Sequence, residues 1–134
     1  MKIFLDTADT EIIRDRFATG LIDGITTNPS LIRKSGRDPE DVYQEIKDMG
    51  VQDISMEVVG GPVTMLNEGL RLVDKFGSVA TIKLPMTKDG LLVCRELTKE
   101  EKRPNRTLMI YAAEGGREAK GGDNEVARVG RNLA

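Results

Sequence analysis

Val79-Ala80-Thr81-Ile82-Lys83-Leu84-Pro85 is the stretch that decides how this chain is expected to fold. It is a short apolar run that contains a single charge, Lys83, and it lies between two helix-type patterns, at 62–76 and 87–100. A short apolar run between two helices is typical of a strand that is buried inside a parallel sheet. The stretch therefore predicts a central strand that carries one lysine.

The same alternation of strand and helix continues outward from this strand. Pro62 and Gly77 bound the preceding helix in the usual order, proline in the first turn and glycine past the end, and Asp38 is the expected cap of a helix over 39–49. The predicted strands cover residues 2–5, 21–27, 53–59, 79–84 and 107–111. Strands that alternate with helices pair in parallel, so we predict an α/β barrel or an open doubly wound sheet.

The last part of the chain has a different composition. Four glycines lie among charged residues in 112–124, and each glycine would weaken a helix by roughly 1 kcal/mol. Residues 125–129 are a candidate sixth strand, although Glu125 and Arg128 do not suit a central position. We predict one α/β domain over 1–111 and a glycine-rich, weakly packed segment over 112–134.

The composition excludes several classes of function. The 134 residues carry a net charge of −2, with one cysteine and no histidine. Zinc sites built on histidine and Ser-His or Cys-His nucleophiles are therefore excluded, and the spread of Lys and Arg predicts no nucleic-acid partner. No apolar run suits a membrane span, and charges at Lys2 and Asp6 come too early for a secretory signal. We expect a cytoplasmic location.

Polar residues fall at the carboxyl ends of successive predicted strands. They are Asp6, Thr27 and Asn28, Glu57, Lys83 and, in the fifth strand, Thr107. In parallel α/β folds this edge of the sheet is where sites are built. Four consecutive strands thus deliver Asp, Asn, Glu and Lys to one edge.

Lys83 and the two carboxylates each have two interpretations. Lys83 either extends its charged end to solvent or is buried as a neutral amine, which is a nucleophile toward carbonyl groups. Asp6 either caps a helix or turn or, with Glu57, transfers protons for Schiff-base chemistry. A plain ion pair with Lys83 would show the same spacing. Gly60-Gly61-Pro62 suggests a tight turn, or less directly a phosphate site at a helix N-terminus.

Four motifs together resemble the transaldolase family, in particular its small branch that includes fructose-6-phosphate aldolase. They are Phe4-Leu5-Asp6-Thr7-Ala8, Gly24-Ile25-Thr26-Thr27-Asn28-Pro29-Ser30, Ser55-Met56-Glu57-Val58 and Ile82-Lys83-Leu84-Pro85-Met86-Thr87. The resemblance runs from residue 1 to about residue 109. It implies a (β/α)8 barrel and a class I aldolase mechanism without metal or organic cofactor.

The resemblance also implies roles for individual residues. Lys83 would form the Schiff base with the keto carbon of a sugar phosphate, and Asp6 would be the acid/base at the substrate hydroxyl. Glu57 and Thr107 would hold the water of imine formation and hydrolysis. A glutamate at position 57, where the aldolase branch carries glutamine, favours transfer of a dihydroxyacetone unit over cleavage. The remaining residues, for substrate binding, would be Asn28 with Thr27 beside it, Asn105 and Arg131.

The resemblance predicts only part of a barrel. A complete (β/α)8 barrel usually needs about 250 residues, so we expect five to six parallel strands with crossover helices. Val, Ile and Leu on the inner side of such a sheet would face water. We therefore expect a homo-oligomer that covers the open barrel. The alternative to an enzyme is a non-catalytic truncated barrel that acts as an oligomerisation or interaction module.

Overall fold

The fold is that of a computed structural model, which describes residues 1–99 with their side chains and residues 107–111 and 126–127 as backbone. Strands and helices alternate along the chain, and a short 3-10 turn, Gly77–Val79, precedes the fourth strand. The elements are β1 (Phe4–Asp6), α1 (Thr10–Phe17), β2 (Gly24–Thr26), α2 (Pro29–Lys34), α3 (Pro39–Asp48), β3 (Ile54–Glu57), α4 (Pro62–Phe76), β4 (Ala80–Pro85), α5 (Lys88–Lys99), β5 (Thr107–Tyr111) and β6 (Val126–Ala127).

The strands form one sheet in the order β1-β2-β3-β4-β5-β6. Each of the first four strands pairs in parallel with the next one along the chain. A doubly wound sheet reverses its strand order at a switch point, whereas a barrel adds each strand beside the previous one. The order therefore confirms the prediction of a partial (β/α)8 barrel and excludes the open doubly wound alternative for these five strands.

The sixth strand differs from the prediction in its direction. β6 contains two residues and pairs antiparallel with β5, with Tyr111 opposite Val126. A parallel neighbour requires a crossover connection, usually a helix, whereas an antiparallel neighbour does not. The remaining residues of the predicted segment 112–134 lie outside the described residues, so its weak packing stays a prediction.

The two faces of the sheet carry different kinds of side chain, because successive strand residues point to opposite faces. The outer face packs under the helices, and its strand side chains are completely buried. They are Ile25, Ile54, Met56, Ile82 and Leu84. They join side chains of α3, α4 and α5 in a single hydrophobic core that includes Val42, Ile46, Met65, Leu72, Val93 and Leu97.

The opposite face, here called the inner face, is polar. Its side chains follow the strand register, in which Asp6 is opposite Thr26, Thr26 opposite Ser55, and Ser55 opposite Thr81. The expectation that Val, Ile and Leu line this face is wrong for β2 to β4. The exposed large apolar side chains within residues 1–99 lie instead in helices, loops and the N-terminus. The apolar argument for self-association therefore has no support in these strands.

A glycine, Gly90, allows helix α5 to pack closely against the end of β4. A Cβ atom at Gly90 would lie 1.9 Å from the carbonyl oxygen of Pro85, so no larger residue fits without a backbone shift. The helical pattern of 87–100 predicts a core side that consists of Leu91, Leu92, Cys94, Arg95 and Leu97. The structure corrects this prediction: Leu91, Leu92 and Arg95 are exposed, and Gly90, Val93, Cys94 and Leu97 are buried. Cys94 is the buried core thiol that the sequence predicts.

The helices are also short. The longest described helix, α4, has 15 residues. In the part of the chain that the structure describes, no helix has the length and apolar character that a membrane span requires.

Candidate functional site

The predicted site residues of the first four strands meet at one edge of the sheet. Asp6 is the last residue of β1, Asn28 follows β2, Glu57 is the last residue of β3, and Lys83 lies in β4. The parallel pairing brings all four carboxyl ends to the same side. The structure therefore assembles the edge that the sequence predicts.

Glu57 and Lys83 are direct partners in the sheet. They lie opposite each other in the register of β3 and β4, so both side chains leave the same face of adjacent strands. Each is half-buried. The Val58 backbone N–H also donates to the Lys83 carbonyl oxygen at 3.2 Å, which holds the two strand ends together. A carboxylate beside a lysine at this edge fits both imine chemistry and an ion pair.

The two neighbours of Lys83 explain its partial burial. Ile82 and Leu84 point to the outer face and are completely buried, and this fixes the backbone on both sides of the lysine. Lys83 therefore leaves from the inner face, at the edge that Asp6 and Glu57 also reach. Lys83 is thus not a fully solvated surface lysine, because its side chain is half-buried on the inner face.

Asp6 is exposed at the end of β1 and does not cap the following helix. The cap of α1 is Asp9, whose Oδ1 accepts hydrogen bonds from the backbone N–H groups of Glu11 at 3.0 Å and Ile12 at 3.2 Å. The capping interpretation of Asp6 is therefore wrong for α1. Asp9 takes this position because it directly precedes the first helical turn.

Asn28 is the N-cap of α2. Its Oδ1 accepts from the backbone N–H groups of Ser30 at 3.0 Å and Leu31 at 3.3 Å. The side-chain oxygen is therefore held by the helix, and the NH2 group, which can only donate, is the part of the amide that remains for a ligand. Sequence analysis missed this cap, although an asparagine before a proline at the first helical position is its usual signal.

Thr27 is buried beside Asn28. Only 1% of it is exposed, and its hydroxyl donates to the Ser55 carbonyl oxygen at 2.8 Å. This bond joins the end of β2 to β3. Thr27 therefore ties the chain just before Asn28 to β3, and its hydroxyl proton is used in this hydrogen bond.

The other predicted site residues have less complete descriptions. Thr107 begins β5, and its backbone lies opposite Thr81. Asn105 and Arg131 lie outside the described residues. Among residues 1–99 no group of three or more His, Cys, Asp or Glu side chains is arranged to hold a metal ion.

Sequence analysis also missed Tyr43, on α3. Its ring packs edge-on against Phe76, with ring centres 5.8 Å apart, and it is 2% exposed. Burial raises the pKa of the Tyr43 hydroxyl, a hydrogen bond with Thr27 acts in the opposite direction, and the negative charge of Glu57 raises the pKa further. In sequence Tyr43 looks like a core residue, because it lies on the apolar stripe of α3.

A cleft of about 320 Å³ lies on the helix side of the edge, between α2, α3 and α4. Glu57 and Tyr43 are part of its wall, together with Arg33 and Arg71. The Arg71 guanidinium is already bound by Glu68 at 2.6 Å and Glu40 at 2.8 Å. The single positive charge of Arg71 is thus paired with carboxylates of the protein.

A parallel α/β sheet of barrel order, with a lysine beside a carboxylate at its carboxyl edge, has the architecture on which barrel enzymes build their sites. The sequence model described as "Transaldolase/Fructose-6-phosphate aldolase" matches residues 3–127. The chain belongs to this family.

Curated relatives agree with the family assignment. A "Probable transaldolase" of Paracoccus denitrificans (strain Pd 1222) is 45% identical over 123 residues, which are 91% of this chain and 56% of that protein. A "Probable transaldolase" of Geobacter sulfurreducens is 45% identical over 133 residues, 98% of this chain and 62% of that protein. The one from Rhodospirillum centenum is 46% identical over 91% of this chain. The chain spans about half the length of the curated relatives that it matches.

Proposed function

We propose that this chain carries the imine-forming part of a transaldolase-type enzyme, with Lys83 as the nucleophile. The observation that carries the proposal is the register of Lys83 with Glu57 on the inner face of adjacent strands. A nucleophile and a proton-transferring group at one edge of the sheet are the minimum for this chemistry. Family membership supports an aldol reaction on a sugar phosphate as the wider setting.

The proposed reaction begins with attack of the neutral Lys83 amine on the keto carbon of a sugar phosphate. The carbinolamine loses its hydroxyl as water and becomes an iminium ion, and Glu57 with Thr107 holds that water. Asp6 takes the proton of the substrate hydroxyl on the distal carbon of the carbon–carbon bond that breaks, so that this carbon becomes the aldehyde. The bonding pair then moves toward the iminium nitrogen, an aldehyde leaves, and a three-carbon enamine of dihydroxyacetone stays on Lys83.

The fate of this enamine decides between two activities. Addition to a second sugar aldehyde would transfer the three-carbon unit, whereas protonation and hydrolysis would release it. We propose transfer as the main activity because position 57 is a glutamate and not the glutamine of the aldolase branch. Exchange of Glu57 for glutamine should therefore shift the ratio of products from transfer toward release, as measured by separate assays for the two products.

Substrate binding would use groups around the amine. The NH2 group of Asn28 is directed by its helix cap and would donate to an oxygen of the bound dihydroxyacetone unit. Asn105 would line the site, and Arg131 would help to hold the phosphate. The last two assignments rest on the resemblance alone and stay predictions.

The experiment that tests the proposal is borohydride trapping with fructose 6-phosphate, read by intact and peptide mass spectrometry. An imine at Lys83 is reduced to a stable secondary amine, and we expect this adduct on the Lys83 peptide. Lys83→Ala should abolish the adduct, because it removes the amine that is proposed to form the imine.

Lys88→Ala is the matched control, since Lys88 is an exposed lysine five positions further on, at the start of α5. It should keep the adduct at the wild-type level. A folded wild-type chain without any adduct would contradict the proposal and would favour the alternative, an interaction module without catalysis.

Self-association and a cytoplasmic location stay predictions. Sedimentation at micromolar concentration tests the first: a single monomeric species would contradict it.

A further inference from the structure

The junction between β2 and β3 has the shortest register among the parallel pairs of the sheet. It covers two positions, Ile25 with Ile54 and Thr26 with Ser55, whereas the other parallel junctions cover three, four and five. Because few backbone links hold β2 to β3, a side-chain link between them contributes a larger share of what fixes their separation.

This junction also divides the candidate site into two halves. Asp6 and Asn28 come from β1 and the end of β2, whereas Glu57 and Lys83 come from β3 and β4. The proposed substrate contact of Asn28 and the proposed proton transfer by Glu57 therefore lie on opposite sides of it. Groups that act on one bound molecule need a constant separation, since a small misplacement of reacting groups has a large effect on rate.

The side chain of Thr27 spans the junction at the edge that carries the site. Further down the ladder, the Ile25 backbone N–H donates to the Asp53 carbonyl oxygen at 2.8 Å. The bonds of a parallel ladder are evenly spaced, so the next acceptor along β3 is the Ser55 carbonyl oxygen. The donor to this oxygen is the Thr27 hydroxyl, at 2.8 Å. Thr27 thus adds one link beyond the last register pair.

The direction of the chain after Thr27 explains why a side chain makes this link. Asn28 is the N-cap of α2 and Pro29 is the first helical residue, so the backbone leaves the sheet directly after Thr27. A hydroxyl group can still reach back to β3 at this point. Thr27 and Ser55 are 1% and 0% exposed, so water does not reach this place to replace the bond.

We propose that Thr27 is a positioning residue of the site, which sets the separation between Asn28 and Glu57 across the β2–β3 junction. The inference rests on the proposed function in one respect, that these two residues handle the substrate and the water. The resemblance places Thr27 in substrate binding beside Asn28. The proposal gives it a different role, because its side chain is buried and its hydroxyl proton is used within the protein.

The competing explanation is that Thr27 only stabilises the fold. Thr27→Val removes the hydroxyl and keeps the shape of the side chain, whereas Thr27→Ser keeps the hydroxyl. Thr27→Ala, which also lacks the hydroxyl, takes the place of Thr27→Val if that variant does not fold. Thr10→Val is the matched control, since Thr10 is also a buried threonine with a side-chain hydrogen bond, from Arg37 at 3.1 Å, on α1 and away from the junction.

The first readout is the initial rate of borohydride trapping at Lys83 as a function of fructose 6-phosphate concentration. We expect Thr27→Val to raise the half-saturating concentration by about tenfold, because Asn28 is displaced from the substrate. Thr27→Ser should recover most of this loss, and Thr10→Val should stay within about twofold of wild type. A wild-type concentration dependence in folded Thr27→Val would overturn the inference.

A double variant separates positioning from a general loss of stability. If Thr27 acts by placing Asn28, then Thr27→Val should raise the half-saturating concentration less in an Asn28→Ala background than in the wild-type background. Independent effects would instead multiply. The same fold-change in both backgrounds would therefore contradict the positioning role.

The second readout does not depend on catalysis. Backbone amide spectra of the ¹⁵N-labelled chain should show shifts in Thr27→Val at Ser30 and Leu31, whose N–H groups Asn28 caps, and at Glu57. Thr10→Val should show none at these positions. If the wild-type chain forms no adduct, the proposed function fails and these spectra alone decide whether Thr27 sets the geometry of the edge. Unchanged signals at all three positions would overturn the inference.

Discussion

The outer and inner faces of the sheet use the same strands for different purposes. On β4, Ile82 and Leu84 point outward into the core, while Thr81 and Lys83 point inward. The outer residues are apolar and hold the helices, and the inner residues are polar and carry the candidate chemistry. The comparison shows that a period of two along one strand can separate stability from reactivity without any insertion or extra loop.

The largest expected effect comes from two neighbouring residues on opposite faces. Ile82→Ala should lower the free energy of unfolding by about 2–5 kcal/mol, because it leaves a cavity in the core. Lys83→Ala should leave the free energy of unfolding within about 1 kcal/mol of wild type while it abolishes the trapped adduct. Urea denaturation measures the first quantity. A similar loss of stability in both variants would show that the faces are not separated in this way.

Gly90 tests how closely the outer layer must approach the strand edge. Gly90→Ala should destabilise the fold by about 1–3 kcal/mol, because the added methyl group overlaps the Pro85 carbonyl oxygen. Gly61→Ala is the matched control, since a Cβ there has no atom within 4 Å and its φ is −73°. Thermal unfolding followed by circular dichroism distinguishes them. Equal melting temperatures for the two variants would contradict the close approach.

The N-caps of α2 and α3 allow the effect on stability to be separated from the effect on the site by single substitutions. Asn28 and Asp38 each accept two backbone hydrogen bonds, so alanine at either position should remove about 1 kcal/mol of stability. Only Asn28→Ala should also slow adduct formation at Lys83, because only Asn28 lies at the site edge. Parallel urea and trapping measurements test this. Equal trapping rates in both variants would remove Asn28 from the site.

The smallest expected effect concerns an ion pair on the surface of the helices, between Arg37 and Glu45. The hydrogen bond from Arg37, at 2.6 Å, is the main cause that lowers the pKa of Glu45. A lowered pKa in the folded state stabilises the protein above the ordinary value of 4.5, and this part is lost as the pH falls through the folded pKa. Because the pair is exposed, Glu45→Gln should remove less than about 1 kcal/mol at pH 7.

Urea denaturation from pH 7 down to pH 3 measures this difference. The stabilities of wild type and Glu45→Gln should converge toward the acid end, and Arg37→Gln should remove the same pH-dependent part. A constant gap at every pH would mean that the charge of Glu45 is not involved.

The parts of the fold that the sequence predicts are those with a local signal. Short apolar runs, a proline at a helix start and an aspartate before it predict the five strands and the Asp38 cap. The carboxyl edge with Asp6, Asn28, Glu57 and Lys83 follows from the same alternation, because parallel strands have only one such edge.

The parts that escaped prediction depend on tertiary contacts. The direction of β6 is set by its pairing with β5, and the buried side of α5 is set by the approach of Gly90 to β4. Tyr43 has the sequence signature of a core residue, and only the folded chain shows that its ring packs edge-on against Phe76. Val, Ile and Leu were expected on the inner side of the partial barrel, whereas polar residues occupy this face in β2 to β4.

The Asn28 amide has a consequence for how this edge could change its ligand preference. Its oxygen accepts the cap hydrogen bonds of α2, and in the proposed function its nitrogen donates to the ligand, so the two ends of one planar group have different partners. Aspartate caps helices about as well as asparagine, and the exchange would therefore preserve α2. It would, however, replace a hydrogen-bond donor by a negative charge at the mouth of the site. A single-atom exchange could thus reverse the preference for electron-rich ligand oxygens while the scaffold remained the same.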